Sequence, residues 1–158
     1  MAALFKTAGA DRLISVDLHT AQIQGFFDGP VDHLFAFPIL ADYLEDRLDR
    51  ARVTVVAPDT GRVRMAERWT HRLGGCPLAF IHKTRDLTQP NVVAANRVVG
   101  DVESRVCLIV DDIIDTAGTI IKAAEALYDA GAADVIVAAT HGVLSGPAVD
   151  RLKNCAIS

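Results

Sequence analysis

The sequence has little of several features that direct a chain to particular classes of protein. Aromatic residues make up 6% of it, and 16 lysines and arginines against 20 acids leave a net charge of −4, with no basic block. This balance argues against an extended nucleic-acid interface, which needs clustered cations. No apolar run approaches the length of a membrane span and no signal-peptide pattern opens the chain, so we expect neither nucleic acid nor membrane as a partner.

Cysteines are few as well, and they are scattered. Cys76, Cys107 and Cys155 are odd in number and show no metal-ligand spacing. They are typical of buried free thiols in a reducing compartment, so we expect a cytoplasmic protein.

Apolar segments alternate between strand-like and helix-like patterns along the 158 residues, half of which are hydrophobic. This alternation predicts an α/β fold, one domain over residues 1–158, with a mostly parallel twisted sheet and helices on both faces. The predicted strands are Leu13–Val16, Leu34–Phe37, Val53–Ala57, Leu78–Ile81, Val98–Val99, Val106–Val110 and Val135–Thr140. The predicted helices are Ile39–Leu48, one ending near Leu73, Ile120–Ala130 and Gly146–Leu152. The polar stretch Leu87–Asn96 is predicted to be a mobile loop.

The segment Arg105–Thr119 has the pattern of an anion-binding site. An apolar run, Val106–Val110, is followed by two acids, by the small hydroxyl-rich run Asp115–Thr119, and then by a helical stretch. The unpaired N–H groups of a helix N-terminus bind phosphate, and small side chains allow its approach. Carboxylates beside a phosphate suit the vicinal hydroxyls of a sugar, or Mg²⁺ through water. The alternative is an ordinary strand-to-helix turn capped by Asp115.

Polar side chains follow several of the predicted strands. Because ligands of open α/β sheets bind beyond the carboxyl ends of the strands, we expect these side chains to share one cleft. The set comprises Asp17, His19, Asp59, Lys83, Arg85, Asp111, Asp112 and His141. Taken singly, most also fit a turn, a helix cap or a solvated loop, and His141 favours a structural role.

Three segments resemble known families. Val110–Thr119 resembles the phosphoribosyl-pyrophosphate fingerprint of the type I phosphoribosyltransferase fold, with Ala117 as a tolerated small residue. Ser15–Asp28 is similar to the signature of the ribose-phosphate diphosphokinases, which ordinary phosphoribosyltransferases lack. Val56–Arg62 resembles that family's Ser-Pro-Asp-x-Gly-Gly loop. Arg62 replaces the second glycine, which puts close backbone approach in doubt there. The alternative is that Arg62 adds a cation to the site.

The resemblance implies transfer of a diphosphoryl group from Mg²⁺–ATP to ribose 5-phosphate, and a homo-oligomer, hexameric in the family. It implies Lys83 as the catalytic lysine and Arg85 as a substrate-phosphate contact. Ribose 5-phosphate is expected at Asp111, Asp112, Asp115, Thr116, Ala117, Gly118 and Thr119. Metal is expected at His19, Asp59, Asp17, Asp28 and Asp32.

Three alternatives stay open at this point: a phosphoribosyltransferase, a non-catalytic regulatory relative of the diphosphokinases, and an α/β domain without a ligand. The resemblance also implies that the chain lacks an N-terminal domain and its extreme C-terminus. We therefore expect weak binding of ribose 5-phosphate and little or no turnover by this chain alone.

Overall fold

The computed structural model describes residues 1–85 and 93–157. For residues 83–85 and 93–96 the description covers the backbone alone. The helices are α1 (Ala2–Thr7), α2 (Phe37–Glu45), α3 (Val63–Arg72), α4 (Gly118–Asp129) and α5 (Ala148–Lys153), with 3₁₀ segments at Ala21–Phe26 and Thr60–Arg62. The strands are β1 (Leu13–Val16), β2 (Val31–Leu34), β3 (Val53–Ala57), β4 (Leu78–Arg85), β5 (Val93–Val99), β6 (Val106–Ile114) and β7 (Asp134–Gly142).

Within the described residues, five strands form the main sheet in the order β5-β4-β3-β6-β7. The β3–β4, β3–β6 and β6–β7 pairs are parallel, whereas β5 runs antiparallel to β4 at one edge. The predicted mostly parallel α/β fold is confirmed. The predicted edge strand at Val98–Val99 is real but begins earlier, at Val93.

Helices cover both faces of this sheet, as predicted. On one face Trp69 and Leu73 of α3 pack with Val55 and Leu108. On the other face, Leu127 and its neighbours in α4 pack against β6 and β7. All five residues of β3 are buried, which explains why the strand is mostly apolar and does not alternate with exposed polar residues. The one polar residue, Thr54, donates its hydroxyl hydrogen to the Asp101 carbonyl at 2.8 Å.

The first strand departs from the prediction, because β1 pairs with β2 in a separate two-stranded parallel sheet. Asp17 therefore follows a strand of the small sheet and reaches the main sheet through its side chain. Its carboxylate instead joins the two sheets: Oδ2 accepts hydrogen bonds from the Ala36 N–H at the start of α2, at 3.0 Å, and from the Thr140 hydroxyl of β7, at 2.7 Å. His141 Nε2 adds a contact of 2.7 Å to the Val16 carbonyl, which agrees with its predicted structural role.

Several predicted boundaries were wrong. The second strand lies at Val31–Leu34, where it pairs with β1, and not at Leu34–Phe37. Strand β4 continues to Arg85 because β5 pairs with it, so Val93–Asn96 is strand and not loop. The rest of the predicted loop, residues 87–92, lies outside the described residues. Strand β6 continues to Ile114 alongside β7, which places Asp111 and Asp112 inside the strand rather than after its end.

Of the three cysteines expected to be buried, Cys107 is fully buried, while Cys76 and Cys155 are half-buried. None of the helices in the described ranges is both long and apolar enough to cross a bilayer.

Candidate functional site

The acid pair, Asp111 and Asp112, lies near the carboxyl end of β6, in the part of the strand that extends beyond the end of its neighbour β3. Asp112 is 2% exposed as a residue, and Asp111 is half-buried. The Asp112 N–H donates to Asp111 Oδ1 at 2.9 Å, which fixes the orientation of the first carboxylate. Two carboxylates are thus held side by side at low exposure, an arrangement that needs a nearby cation.

Arg62 supplies that cation. Its Nε lies 3.2 Å from Asp111 Oδ1, and its Nη2 lies 3.0 Å from each carboxylate oxygen of Asp112. The Nη2 group donates a hydrogen bond to Asp112 Oδ2. Asp112 Oδ1 is buried and accepts no hydrogen bond from the described residues. The Arg62 side chain itself is only 15% exposed, so this ion pair is well shielded from water.

His19 closes the cluster from the segment that follows β1. Its Nδ1 lies 3.0 Å from Asp112 Oδ2, and the Arg62 guanidinium lies 3.3 Å from its Nε2. The His19 side chain is 67% exposed, so the ring forms a wall of the cluster and stays open to ligands. His19 and Arg62, from the first half of the chain, thus contact Asp112 of β6 at this point.

The two carboxyls of the acid pair differ in their electrostatics. Burial raises the pKa of Asp111 to about 7, and the neighbouring Asp112 carboxylate adds to the rise. Burial also favours a higher pKa for Asp112. The pKa of Asp112 is nevertheless lowered, because hydrogen bonding from Asp111 and the charges of Arg62 and His19 favour its ionised form. The pair therefore holds a proton more readily than two isolated aspartates.

The loop 115–119 joins β6 to α4 and contains the predicted anion site. Ala117 is the N-cap of α4, with φ at 61° in the left-handed region, and it is buried. The Asp115 carbonyl accepts from the Ser145 N–H at 3.0 Å, and Arg151 of α5 donates to the Thr116 carbonyl at 3.0 Å. Two carbonyls of the loop are thus bound by residues outside it. The first-turn N–H groups of α4 have no intrahelical acceptor, as at the start of any helix.

The acid pair and the loop line one cavity of about 300 Å³. Its lining brings together every residue predicted to bind the sugar phosphate and two of the five predicted metal ligands. The predicted residues among the lining are His19, Asp59, Asp111, Asp112, Asp115, Thr116, Ala117, Gly118 and Thr119. Arg62 lines it as well. The cavity is open at the helix N-terminus and acidic at the strand, so it offers separate places for an anion and for hydroxyl groups.

A second cavity, of about 430 Å³, adjoins the first. His19, Arg62 and Asp111 line both, so these three side chains form the partition between the cavities. Beyond the partition, the second cavity is lined by the cations Arg64 and Arg68.

The predicted metal ligands fall into two groups. Asp59 follows β3, and its Oδ1 accepts from the Gly61 N–H at 2.9 Å within the first cavity. The described lining of that cavity does not include Asp17, Asp28 or Asp32. Asp28 is exposed in the turn before β2. Asp32 forms a bidentate ion pair with Arg12, whose hydrogen bonds lower the pKa of the carboxyl.

The donor set of the first cavity fits Mg²⁺ only if water and substrate oxygens supply part of the coordination shell. Within residues 1–85 and 93–157, no group of three or more His, Cys, Asp or Glu side chains is gathered around one point. Mg²⁺ commonly takes one or two carboxylates and completes its shell with water and substrate phosphates. The Asp59 carboxylate and Asp112 Oδ1, which accepts no hydrogen bond from the described residues, suit that mode, so the residues fit a metal that enters with a phosphorylated substrate.

Lys83 and Arg85 occupy the last part of β4, where Lys83 pairs in register with Asn96 and Arg85 with Val93. Their side chains lie outside the described part of the chain, and the roles expected of them stay predictions.

Two site residues escaped the sequence reasoning. The sequence indicates Arg62 as a departure from a glycine and as a possible added cation, and that cation is the signal for its pairing with the acids. Arg151 gave no signal, because its contact with the loop depends on how α5 packs against α4.

Comparison with known proteins gives matches over most of the chain. The family model described as a phosphoribosyl transferase domain matches residues 38–155. A ribose-phosphate pyrophosphokinase from Bifidobacterium longum is 67% identical over 154 residues, which are 96% of this chain and 45% of that protein. The chain thus spans about half the length of the curated relatives it matches.

Solved structures give the same result. The crystal structure of phosphoribosylpyrophosphate synthetase from Mycobacterium smegmatis is similar with a TM-score of 0.90 and 57% identity, over 99% of this chain and 49% of that one. A purine phosphoribosyltransferase from Pyrococcus horikoshii is similar with a TM-score of 0.57 and 23% identity, over 87% and 83% of the two chains. The second likeness shows a shared fold.

Proposed function

Because the chain belongs to the family of phosphoribosyl transferase domains, we propose that its site binds ribose 5-phosphate for a ribose-phosphate diphosphokinase. The reaction transfers the diphosphoryl group of Mg²⁺–ATP to the 1-hydroxyl of ribose 5-phosphate and yields phosphoribosyl pyrophosphate and AMP. The observation that carries the proposal is the single cavity that joins the acid pair to the N-terminus of α4. High identity to ribose-phosphate pyrophosphokinases over nearly the whole chain supports the choice of reaction.

The sugar phosphate has a defined orientation in this proposal. Its 5-phosphate accepts hydrogen bonds from the first-turn N–H groups of α4 and from the hydroxyls of Thr116 and Thr119, where the helix dipole favours negative charge. Its vicinal hydroxyls donate to Asp111 and Asp112, since ionised carboxylates are acceptors only. The 1-hydroxyl then faces the partition formed by Arg62 and His19, on the side of the nucleotide.

The nucleotide phosphates lie near His19, Asp59 and Lys83. Cations placed around a diphosphoryl group stabilise the charge on its equatorial oxygens during in-line transfer, and Lys83 and Arg85 are the residues proposed for this role. Asp59 and Asp112 would hold Mg²⁺, which supplies charge neutralisation on the phosphoryl oxygens. Arg64 and Arg68 in the adjoining cavity support a polyphosphate on that side.

Self-association belongs to the proposal as well. Ile14, Phe26 and Ile39 are 69%, 75% and 74% exposed, respectively, which supports a contact surface on the side of the small sheet and α2.

Calorimetry with ribose 5-phosphate and with ribose tests the sugar-phosphate site. We expect heat with ribose 5-phosphate and none with ribose at the same concentration. The double variant Thr116→Ala/Thr119→Ala loses two hydroxyl donors to phosphate and should bind at least about tenfold more weakly, since charge-assisted hydrogen bonds contribute about 1.5–3 kcal/mol each. Thr7→Ala, which removes a hydroxyl in α1, is the matched control.

Equal binding of ribose 5-phosphate by the double variant and by the control would contradict the proposed orientation. Release of pyrophosphate from phosphoribosyl pyrophosphate that depends on a nucleobase and not on ATP would instead identify a phosphoribosyltransferase.

A further inference from the structure

Arg62 occupies the acid pair at the place where the proposed ligands should bind. Its guanidinium contacts both Asp111 and Asp112, and its side chain is 15% exposed. The 3₁₀ segment Thr60–Arg62 and the start of α3 fix the backbone that carries it. Arg62 is therefore a built-in partner of the carboxylates and not a surface cation that touches them by chance.

The contact is incomplete in one respect. Asp112 Oδ1 lies 3.0 Å from Nη2 of Arg62, but it accepts no hydrogen bond from the described residues, and its side chain is 3% exposed. A buried carboxylate oxygen with a close charge and no hydrogen bond retains an unused coordination position. Asp112 lines the first cavity, and a cation that approaches its carboxylate from there also approaches the guanidinium.

We propose that Arg62 is an internal counter-ion that competes with divalent cations for Asp111 and Asp112. The acid pair then accepts a metal ion or a metal-bearing ligand only when the guanidinium moves off it. Arg62 lines both cavities, so a displaced guanidinium has the second cavity to enter, on the side proposed for the nucleotide phosphates. The inference rests on the proposed function only in assigning the acid pair to the ligand site.

The physical basis is the repulsion between like charges at short range and low exposure. A divalent ion on Asp112 Oδ1 would lie within a few ångströms of the guanidinium, where charges interact much more strongly than in bulk water. Removing the guanidinium leaves two adjacent carboxylates without a cation, which is a stronger site for a divalent ion than the neutralised pair.

The test is titration of the full chain with Mn²⁺ alone, followed by electron paramagnetic resonance of the free ion. Arg62→Met keeps an aliphatic stem and removes the charge, and it should bind Mn²⁺ at least about tenfold more tightly than the unsubstituted chain. Arg52→Met, at an exposed residue that directly precedes β3 at the opposite end of the sheet from the acids, removes the same charge and should change the affinity less than about threefold. Adding Asp112→Asn to Arg62→Met should abolish the gain.

Unchanged or weaker Mn²⁺ binding by Arg62→Met would overturn the proposal, and so would a gain that survives Asp112→Asn. If Arg62→Met does not fold, ¹⁵N NMR of the unsubstituted chain replaces it, with the Nε–H signal of Arg62 identified by its loss in Arg62→Lys. That signal should shift as Mg²⁺ is added, and a constant signal would refute the competition. Because no sugar phosphate is present, failure here is distinguishable from failure of ribose 5-phosphate to bind.

Discussion

Replacement of Asp111 by asparagine measures the free-energy cost to the folded state of holding two carboxylates together. Asp111 Oδ1 accepts the Asp112 N–H at 2.9 Å and lies 3.2 Å from Nε of Arg62. An asparagine side-chain oxygen can keep both contacts, so Asp111→Asn removes the charge and changes little else. Because the pKa of Asp111 is raised, its ionised form is less favourable in the folded chain than in the unfolded one.

The sign and size of the effect follow from linkage. A carboxyl whose pKa rises on folding stabilises the fold least at high pH, and stability is lost as pH rises from about 4 through about 7. A rise from 3.8 to about 7 corresponds to an upper limit of about 4 kcal/mol at pH 8, at about 1.4 kcal/mol per pH unit. Structural relaxation and water entry reduce such limits, so we expect Asp111→Asn to gain about 1–2 kcal/mol more at pH 8 than at pH 5.

Urea unfolding at pH 8 and at pH 5, followed by circular dichroism, measures this difference. Asp46→Asn at the exposed end of α2 is the control, and its effect should stay within about 0.5 kcal/mol at both pH values. A gain of the same size at both pH values, or a loss of stability at pH 8, would refute the idea that buried charge at Asp111 opposes folding. The same variant should bind ribose 5-phosphate more weakly, because a carboxylate acceptor for its hydroxyls is lost.

Two further predictions concern how the site is held. Asp17→Ala removes the acceptor for the Thr140 hydroxyl and for a main-chain N–H at the start of α2. The variant should lower the free energy of unfolding by about 2 kcal/mol in urea titrations. A loss under about 0.5 kcal/mol would show that the contact between the two sheets does not depend on this carboxylate. At Gly100 a Cβ would lie 2.7 Å from backbone and side-chain atoms of Ala79, with φ at +122°. Gly100→Ala should therefore lower the melting temperature far more than Gly25→Ala, where a Cβ meets open space; similar shifts would contradict this.

Those parts of the fold that depend on local apolar pattern were predictable from the sequence. Val53–Ala57 was predicted with the bounds it has, because a strand buried on both faces is mostly apolar and β-branched. The loop 115–119 was likewise predictable, since small residues between a strand and a helix carry their own signal. Its cavity was then found with the expected lining.

Features that depend on a distant partner were not predictable in the same way. Strand β6 passes through two aspartates because β7 continues beside it to Gly142, and polar residues end a strand only when no neighbour pairs with them. The separate sheet of β1 and β2 arises from pairing of Leu13 with Val31, which periodicity along one strand cannot reveal. The contact of Arg62 with the acid pair joins residues about fifty positions apart, so it required the packed arrangement of α3 against β6.

The left-handed backbone at Ala117 has a consequence for the affinity and selectivity of the anion binding proposed for the loop. A non-glycine residue in this conformation costs about 1–3 kcal/mol, which the surrounding packing must offset during folding. That cost is independent of any ligand. If the loop binds the proposed sugar phosphate, the affinity is not reduced by the need to order the turn. Rigidity of this kind favours ligands whose oxygens match the existing arrangement over those that require the backbone to adapt.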